Sequence, residues 1–424
     1  NSEFYANFGK YDVEINVPAS YEVAATGTLI DQSVLTLTSK HASNERKTVR
    51  YVAEDVHDFA WSASPRFEKA EMTYSDSNVS DVVIQLYLQP EHLPLTERYF
   101  RAAASSLKYY SAWFGPYPYD TLSIVVPPAG ASGAGGMEYP TLVTAWAADK
   151  KDPGYELEQV IVHEIGHQYF YGLVASNEFE EAWLDEAFTS FAEDKVMKLE
   201  YGLMVPMALE ASYVTSPQPL TLNAWEYDSH DVYAENVYIR GKLVLKAIEQ
   251  EIGSAQMMKV LRQYVEQWKY RHPSTADFVQ VLEEVTERDW SSFIHQYVHG
   301  GMMGDYAIDR IEMKEEESED GKAYVSEIHL SRHGGSGFEV PLVLQFEDGH
   351  QTKTVWDGEA EKKVFRVTYT SPLKWAAIDP DHQLILENRR MNNFMHATVD
   401  DQTKKRLSIN AARIADLILN IFVW

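Results

Sequence analysis

The strongest constraint on this chain is the stretch from His163 to His167, which reads His-Glu-Ile-Gly-His. Apolar residues recur at helical spacing from Leu157 to Ile165, so the stretch is predicted to lie on a helix. Positions i and i+4 share one helix face, and both imidazoles can therefore reach a single metal ion. Glu164 then lies beside the first ligand, where it can take a proton from a metal-bound water. The alternative is that both histidines only form hydrogen bonds on a partly buried helix and bind no metal. The neighbouring residues decide between these two interpretations.

Composition limits the classes of function. The chain has 424 residues, with 64 acidic side chains against 37 lysines and arginines and a formal charge of -27. This balance argues against a nucleic-acid partner, because phosphate binding needs clustered positive charge. There is no cysteine, which excludes disulfides and thiolate ligands. Any metal must therefore be held by His, Asp or Glu.

A third ligand is predicted on the next helical segment. A catalytic zinc site has three protein ligands and one open position, and Glu186 supplies a carboxylate after the histidine pair. Asp185 is the neighbouring rival, but it points about 100° away on the same helix. Glu193 lies two turns beyond Glu186 on the same face and is predicted to accept a hydrogen bond from a ligand imidazole. Taken singly, each of these could be an ordinary surface carboxylate.

These motifs resemble those of a known family. H-E-x-x-H followed by Trp183-Leu184-Asp185-Glu186 is similar to the gluzincin zinc aminopeptidases of the alanyl and puromycin-sensitive type, which carry W-L-N-E. Their substrate-binding G-A-M-E-N is matched by the stretch from Gly135 to Tyr139, and their catalytic tyrosine by Tyr238, which precedes Gly241. The resemblance covers nearly the whole chain and is strongest from residue 135 to 245.

The resemblance implies a role for each metal-site residue. One zinc ion is expected on His163, His167 and Glu186, where it would lower the pKa of a bound water and polarise the scissile carbonyl. Glu164 is expected to act as general base and to pass the proton to the leaving amine. Tyr238 is expected to donate a hydrogen bond to the oxyanion. The alternative for Tyr238 is a tyrosine that only packs by its ring.

Substrate binding is assigned by the same resemblance to the segment Gly135, Gly136, Met137 and Glu138. Glu138 is expected to pair with the free α-amine of a peptide, and the glycines let the substrate backbone approach closely. Two departures stand out. Tyr139 replaces the final Asn of the family motif, and the second amine-binding Glu or Gln of the family is not found. Either that residue belongs to a longer N-terminal part, or this member lacks it. Because the chain opens within a β-rich pattern, we expect a fragment of a longer, bacterial-type member.

The fold class predicted from the pattern is α+β and multidomain. Residues 1–65 are expected to end an N-terminal β-domain, and residues 66–302 to form a thermolysin-like, mostly helical zinc catalytic domain. Residues 303–390 are expected to form a C-terminal β-sandwich. Its first part, residues 303–320, is expected to be a charged joint, in which Glu315–Asp320 is predicted to be a solvated loop. Residues 391–424 are expected to be a tail with an amphipathic helix.

The tail carries the only hint of location. Three basic residues, Lys404 to Arg406, precede an apolar stripe at helical spacing: Leu407, Ala411, Ile414, Ile418 and Ile421. A terminal helix docked on the body is one interpretation. An interfacial helix, or the start of a membrane segment beyond Trp424, is the other. Membrane association is thus a hypothesis, and localisation is otherwise open.

The function predicted from all these features is zinc-dependent hydrolysis of peptide bonds. The expected reaction is release of the N-terminal residue from a peptide with a free N-terminus. The alternatives are a zinc endopeptidase or another amide or ester hydrolase, and a catalytically silent, membrane-linked scaffold. Ligands, base and tyrosine are all present, which argues against the scaffold.

Overall fold

The computed structural model describes residues 4–39, 42–147, 154–318 and 321–397. The chain divides into two compact units, Asn1–Gly301 and Met302–Trp424. The predicted α+β multidomain class is confirmed, with strands at the start, helices in the middle and sheets again in the second unit. The finer division predicted from the sequence, with limits after residues 65, 302 and 390, remains a prediction.

The first unit begins with five strands: β1 (Gly9–Pro18), β2 (Glu22–Ala25), β3 (Thr28–Ser39), β4 (Ala42–Val56) and β5 (Trp61–Ser64). An antiparallel sheet has the order β1-β4-β3, and β2 pairs with β5. Ile15, Val17, Val49 and Tyr51 are buried in one cluster. They follow the two-residue alternation that places every second side chain on one face.

A four-stranded sheet follows, in the order β6-β7-β8-β9: β6 (Glu68–Tyr74), β7 (Val82–Leu88), β8 (Thr121–Val125) and β9 (Leu142–Thr144). Strands β7, β8 and β9 are parallel. Parallel neighbours need a crossover, and helix α1 (Thr96–Phe114) connects β7 to β8. Every residue of β8 is buried, including Thr121 and Ser123, as expected for a strand with parallel neighbours on both sides.

The remaining α-helices of the first unit carry the general base and two of the predicted metal ligands, His163 and Glu186, while His167 directly follows the first of these helices. They are α2 (Glu156–Gly166), α3 (Glu178–Glu181), α4 (Trp183–Tyr201), α5 (Met207–Tyr213), α6 (His230–Ala234), α7 (Gly241–Ile252), α8 (Ser254–Trp268), α9 (Thr275–Thr286) and α10 (Ser291–Ile294). A π-helical segment, Glu235–Arg240, joins α6 to α7, and another, His295–His299, follows α10.

Close helix contacts fix the relative position of these elements. A Cβ added to Gly166 would lie 2.9 Å from Cγ2 of Thr189, and one added to Gly241 would lie 2.6 Å from Cβ of Ala187. Helices α2 and α7 therefore approach α4 at points where a larger side chain would force them apart. This packing brings the ends of three helices to one place.

The second unit contains two antiparallel sheets. Their strands are β10 (Tyr306–Ser318), β11 (Gly321–Arg332), β12 (Val340–Phe346), β13 (Gln351–Trp356), β14 (Lys362–Tyr369), β15 (Leu373–Ile378) and β16 (Phe394–His396). The orders are β10-β11-β14 and β13-β12-β15-β16. Buried side chains from both sheets, including Ile328 and Leu342, give this unit its own core.

The predicted loop at Glu315–Asp320 is wrong as far as Ser318. Residues 315–318 end strand β10 and pair with β11, where Glu315 lies opposite Tyr324. Strand β10 is at the edge of its sheet, and exposed charges on an edge strand prevent pairing with another chain. Glu315, Glu316 and Glu317 are thus the exposed end of an edge strand. Residues 319–320 lie outside the described part.

Among the described residues, no helix is both long enough and apolar enough to cross a membrane. The predicted tail helix, from Lys404 to Trp424, lies outside them. Its association with membranes therefore stays a prediction.

Candidate active site

Three side chains from the α2 and α4 segments converge on one point. Nε2 of His163 lies 3.0 Å from Nε2 of His167, and Oε2 of Glu186 lies 3.2 Å from each of these nitrogens. Zinc binds such ligands at about 2.0–2.2 Å in tetrahedral geometry, and a triangle of this size fits that geometry with one position left open. The donor set, two imidazoles and a carboxylate, is that of a zinc site.

Each imidazole is oriented by a carboxylate on its other nitrogen. Nδ1 of His163 donates to Oε2 of Glu193 at 2.8 Å, as the helical spacing predicts. Nδ1 of His167 donates to Oδ1 of Asp185 at 2.5 Å. The sequence presents Asp185 only as a rival ligand, so its role is one that sequence reasoning misses. A signal is available, since a second ligand imidazole also requires an acceptor.

Glu193 is itself held in place. Nε2 of Gln159 donates to Oε1 of Glu193 at 2.6 Å, so both oxygens of the carboxylate are engaged. Gln159 lies one turn before His163 on α2, and nothing in the sequence pattern singles it out. A fixed acceptor keeps the ring of His163 in one orientation and one tautomer.

The electrostatics of the cluster favour a cation. Burial alone would lower the pKa of His163, but Glu186 and Glu193 outweigh it and raise that pKa to about 10. Burial would likewise raise the pKa of Glu186, yet the two imidazoles hold it well below its usual value. The carboxylates around the ligands thus create a strongly negative potential at the point where the ligand atoms meet.

Glu164 lies beside this triangle with a free oxygen. The residue is 5% exposed, and its Oε2 atom has no hydrogen-bond partner in the described part of the chain. Burial raises the pKa of Glu164 to about 7, against the opposing charges of His163 and His167. A carboxylate whose pKa lies near neutrality can both accept and release a proton.

Tyr238 lies in the π-helical segment between α6 and α7. Its hydroxyl donates to Oε1 of Glu186, and its ring stacks on His163 with centroids 6.0 Å apart. Single π-helical turns are rare and occur often at functional sites. Gly241, three residues later, is the point where α7 meets Ala187 of α4. The spacing of Tyr238 and Gly241 therefore has a packing reason.

The Gly135–Glu138 segment forms another wall of the same cavity, which has a volume of about 470 Å³. A Cβ on Gly135 would lie 2.5 Å from the carbonyl oxygen of Ala145, so only glycine fits there. Gly136 has φ +71°, and Met137 forms a β-bridge with Thr144. Glu138 is 7% exposed, and burial raises its pKa well above the usual value.

Glu138 belongs to a second group of carboxylates that the sequence pattern does not reveal. Oxygen atoms of Glu138, Glu178 and Asp185 lie within 4.8 Å of one another. Tyr139, the departure from the family motif, is half-buried, and its ring packs edge-on against Phe4 at 5.8 Å. The structure thus gathers the predicted metal ligands, base, tyrosine and glycine-rich segment around one cavity. It adds Asp185, Glu178 and Gln159.

Comparison with known proteins gives a family model that matches part of the chain. Residues 99–297 match the family model described as "Peptidase family M1 domain". The chain is 24% identical over 309 residues to the alanine/arginine aminopeptidase of Saccharomyces cerevisiae, a match that covers 66% of this chain and 35% of that protein. It is 25% identical over 223 residues to glutamyl aminopeptidase of Homo sapiens, covering 48% and 23%. The predicted resemblance to zinc aminopeptidases is confirmed.

Two solved structures have a similar fold. Aminopeptidase A of Legionella pneumophila, solved with aspartic acid, aligns with a TM-score of 0.64 at 14% identity and covers 90% of this chain and 45% of that one. An E323A mutant of an M1 zinc metallopeptidase from Deinococcus radiodurans aligns with a TM-score of 0.52 at 21% identity, covering 70% and 65%. The chain spans between 23% and 35% of the length of the two curated relatives named above.

Proposed function

Because residues 99–297 match the peptidase family M1 domain, we propose that this protein is a zinc-dependent aminopeptidase that releases N-terminal residues from peptides. The observation that carries the proposal is the triangle of His163, His167 and Glu186, with Glu164 and Tyr238 facing the same cavity. A metal site alone would be compatible with a structural ion. A free general base and a hydroxyl donor beside it favour hydrolysis.

One zinc ion held by His163, His167 and Glu186 would supply a Lewis acid for the scissile carbonyl and acidify a water molecule. Glu164 takes the proton of the attacking water at its free Oε2 and delivers it to the leaving amine. Tyr238 turns its hydroxyl from Glu186 toward the carbonyl oxygen as that oxygen gains negative charge. A small movement suffices, since the hydroxyl already contacts a metal ligand.

Glu138 explains why cleavage would occur at the amino end. Its carboxylate lies in the cavity among other carboxylates, so this end of the cavity attracts a positive charge. A peptide with a free α-ammonium satisfies that charge, whereas a blocked or internal segment leaves the buried carboxylate unpaired. The substrate class is therefore peptides with a free N-terminus.

The test compares alanine 4-nitroanilide with its N-acetyl derivative, using zinc-loaded protein and protein treated with a chelator. We expect cleavage of the free substrate only, and only with zinc. Equal cleavage of the acetylated substrate would favour an endopeptidase or a general amide hydrolase. Bound zinc without any turnover would favour the silent scaffold.

A further inference from the structure

Gln168 directly follows the second ligand histidine and is fully buried. Its side-chain amide makes three hydrogen bonds, all to the backbone of one short loop. Nε2 donates to the carbonyl oxygens of Glu138 at 3.3 Å and of Tyr139 at 3.1 Å. Oε1 accepts from the backbone N–H of Thr141 at 2.7 Å. One side chain on the metal-binding segment therefore holds the loop that carries Glu138.

This loop needs such support because its backbone is strained. Thr141 has φ +61°, a conformation that β-branched residues rarely adopt. Its hydroxyl accepts from the N–H of Gly27 at 2.7 Å, and its carbonyl accepts from Ser123 at 2.8 Å. Buried backbone groups must be paired, and the amide of Gln168 pairs three of them.

The carboxylate of Glu138 depends on this backbone for its position. No described residue donates a side-chain hydrogen bond to it, while oxygens of Glu178 and Asp185 lie within 4.8 Å. Two neighbouring carboxylates repel it rather than hold it. The distance between Glu138 and the ligand His167 is therefore set by the loop, and the loop is held by Gln168.

We propose that Gln168 is a positioning residue for amine recognition: it ties Glu138 to the zinc-binding segment and so fixes the distance from the α-ammonium site to the metal ligands. This inference rests on the proposed function. It assigns Gln168 no contact with substrate. A shift of about 1 Å in a positioned group can cost about 100-fold, so the contribution to amine recognition is expected to be large.

The test measures binding rather than turnover. Zinc-loaded full chain is titrated calorimetrically with alanine hydroxamate and with propionohydroxamate, which is the same ligand without its amine. In Gln168→Met, a side chain of similar length without the amide, we expect the Kd of alanine hydroxamate to rise about 10- to 100-fold. The Kd of propionohydroxamate should stay within about twofold, since zinc is still bound.

Controls separate this role from general destabilisation. Gln280→Met changes an exposed glutamine on α9, which bonds to Glu284 one turn along the same helix, and should leave both affinities unchanged. Zinc content and Tm are measured for each variant. If Gln168→Met fails to fold, Gln168→Asn keeps the amide but withdraws it by one carbon, and the same selective loss is expected.

Three outcomes would contradict the inference. Equal weakening of both hydroxamates would mean that Gln168 supports the zinc site in general. A wild-type preference for the amine that persists in Gln168→Met would overturn the inference alone. Equal affinity of the wild-type protein for both ligands would overturn it together with the proposed recognition of a free N-terminus.

Discussion

Buried carboxylates in the two units differ in whether the chain itself supplies a positively charged partner. In the second unit, Asp379 is 1% exposed and accepts from Arg390 at 2.9 Å and from two backbone N–H groups. In the cavity of the first unit, Glu138 and Glu164 are 7% and 5% exposed. Among the described residues, neither forms an ion pair with a lysine or arginine. The charge of Asp379 is therefore paired within the described part of the chain, and the charges of Glu138 and Glu164 are not.

The difference indicates which group is functional. Burying a charge costs free energy unless it is paired and hydrogen-bonded. Asp379 meets that condition, so it needs no ligand to explain it. Glu138 and Glu164 do not meet it. The free-energy cost of burying them is explained if a bound metal cation and a substrate ammonium group pair with their charges. Breaking each group should therefore give different results: lost activity in the cavity, and lost stability in the second unit.

The largest effect is expected from Glu164→Gln in the cavity. Removing the general base should lower kcat about 10²- to 10⁴-fold, because the amide cannot accept the proton. The Tm of the metal-free protein should not fall, since Oε2 of Glu164 has no partner to lose among the residues the structure describes. Steady-state kinetics and calorimetry measure both quantities. Full turnover in the variant would refute the proposed mechanism.

Arg390→Met in the second unit is expected to reduce stability and to leave activity unchanged. The change leaves Asp379 buried without its ion pair, which should reduce the free energy of unfolding by about 3–5 kcal/mol, while kcat stays within about twofold. Urea denaturation measures the loss. The matched control is Arg310→Met, whose side chain is 60% exposed and lies 2.7 Å from that of Glu312, which is 48% exposed; exposed pairs contribute about 0–1 kcal/mol. Similar losses in both variants would contradict the comparison.

Tyr238→Phe, in the cavity, is expected to have a smaller effect on activity than Glu164→Gln. Loss of the hydroxyl should lower kcat about 100-fold, the usual cost of one oxyanion donor, and leave KM nearly unchanged. Tyr233→Phe is the matched control, since Tyr233 packs edge-on against Tyr238 at 6.4 Å. A larger effect on KM than on kcat would mean that Tyr238 binds substrate rather than stabilising the oxyanion.

The sequence is sufficient for the part of the site that lies on single helices. Periodicity predicts which residues share a face, so His163 groups with His167, and Glu186 with Glu193, from the order of the residues alone. It cannot predict how two helices are rotated against each other. Asp185 is therefore expected to point away from the site, although it is the acceptor for His167.

Other features cannot be predicted, for related reasons. The π-helical turn around Tyr238 inserts a residue into the helical repeat, and no propensity marks it. Gln168 resembles any polar residue at a helix end, and its three partners come from a loop about 30 positions earlier. The edge strand at Glu315 carries charges that protect it from pairing, so its composition is typical of a loop.

Glu387 gives the prediction with the smallest expected effect, because its pairing is intermediate between that of Asp379 and that of the cavity carboxylates. It is 1% exposed and accepts from the N–H of Tyr306 at 3.3 Å, but Arg390 is 3.6 Å away and pairs more closely with Asp379. Burial raises the pKa of Glu387 to about 7, against the opposing effects of Asn393 and Arg390. The carboxyl group of Glu387 is thus only partly paired by its surroundings.

The sign of its pH dependence follows from that raised pKa. The folded protein holds the proton up to about pH 7, whereas the unfolded chain releases it near the ordinary value of 4.5. The stabilisation from Glu387 is therefore complete below about pH 4.5 and is lost as the pH rises through 7. In Glu387→Gln, urea denaturation should show a stability gain over wild type that grows by about 2 kcal/mol from pH 5 to pH 8. The exposed Glu347→Gln should run parallel to wild type, and a parallel curve for Glu387→Gln would place this carboxylate with the fully paired Asp379.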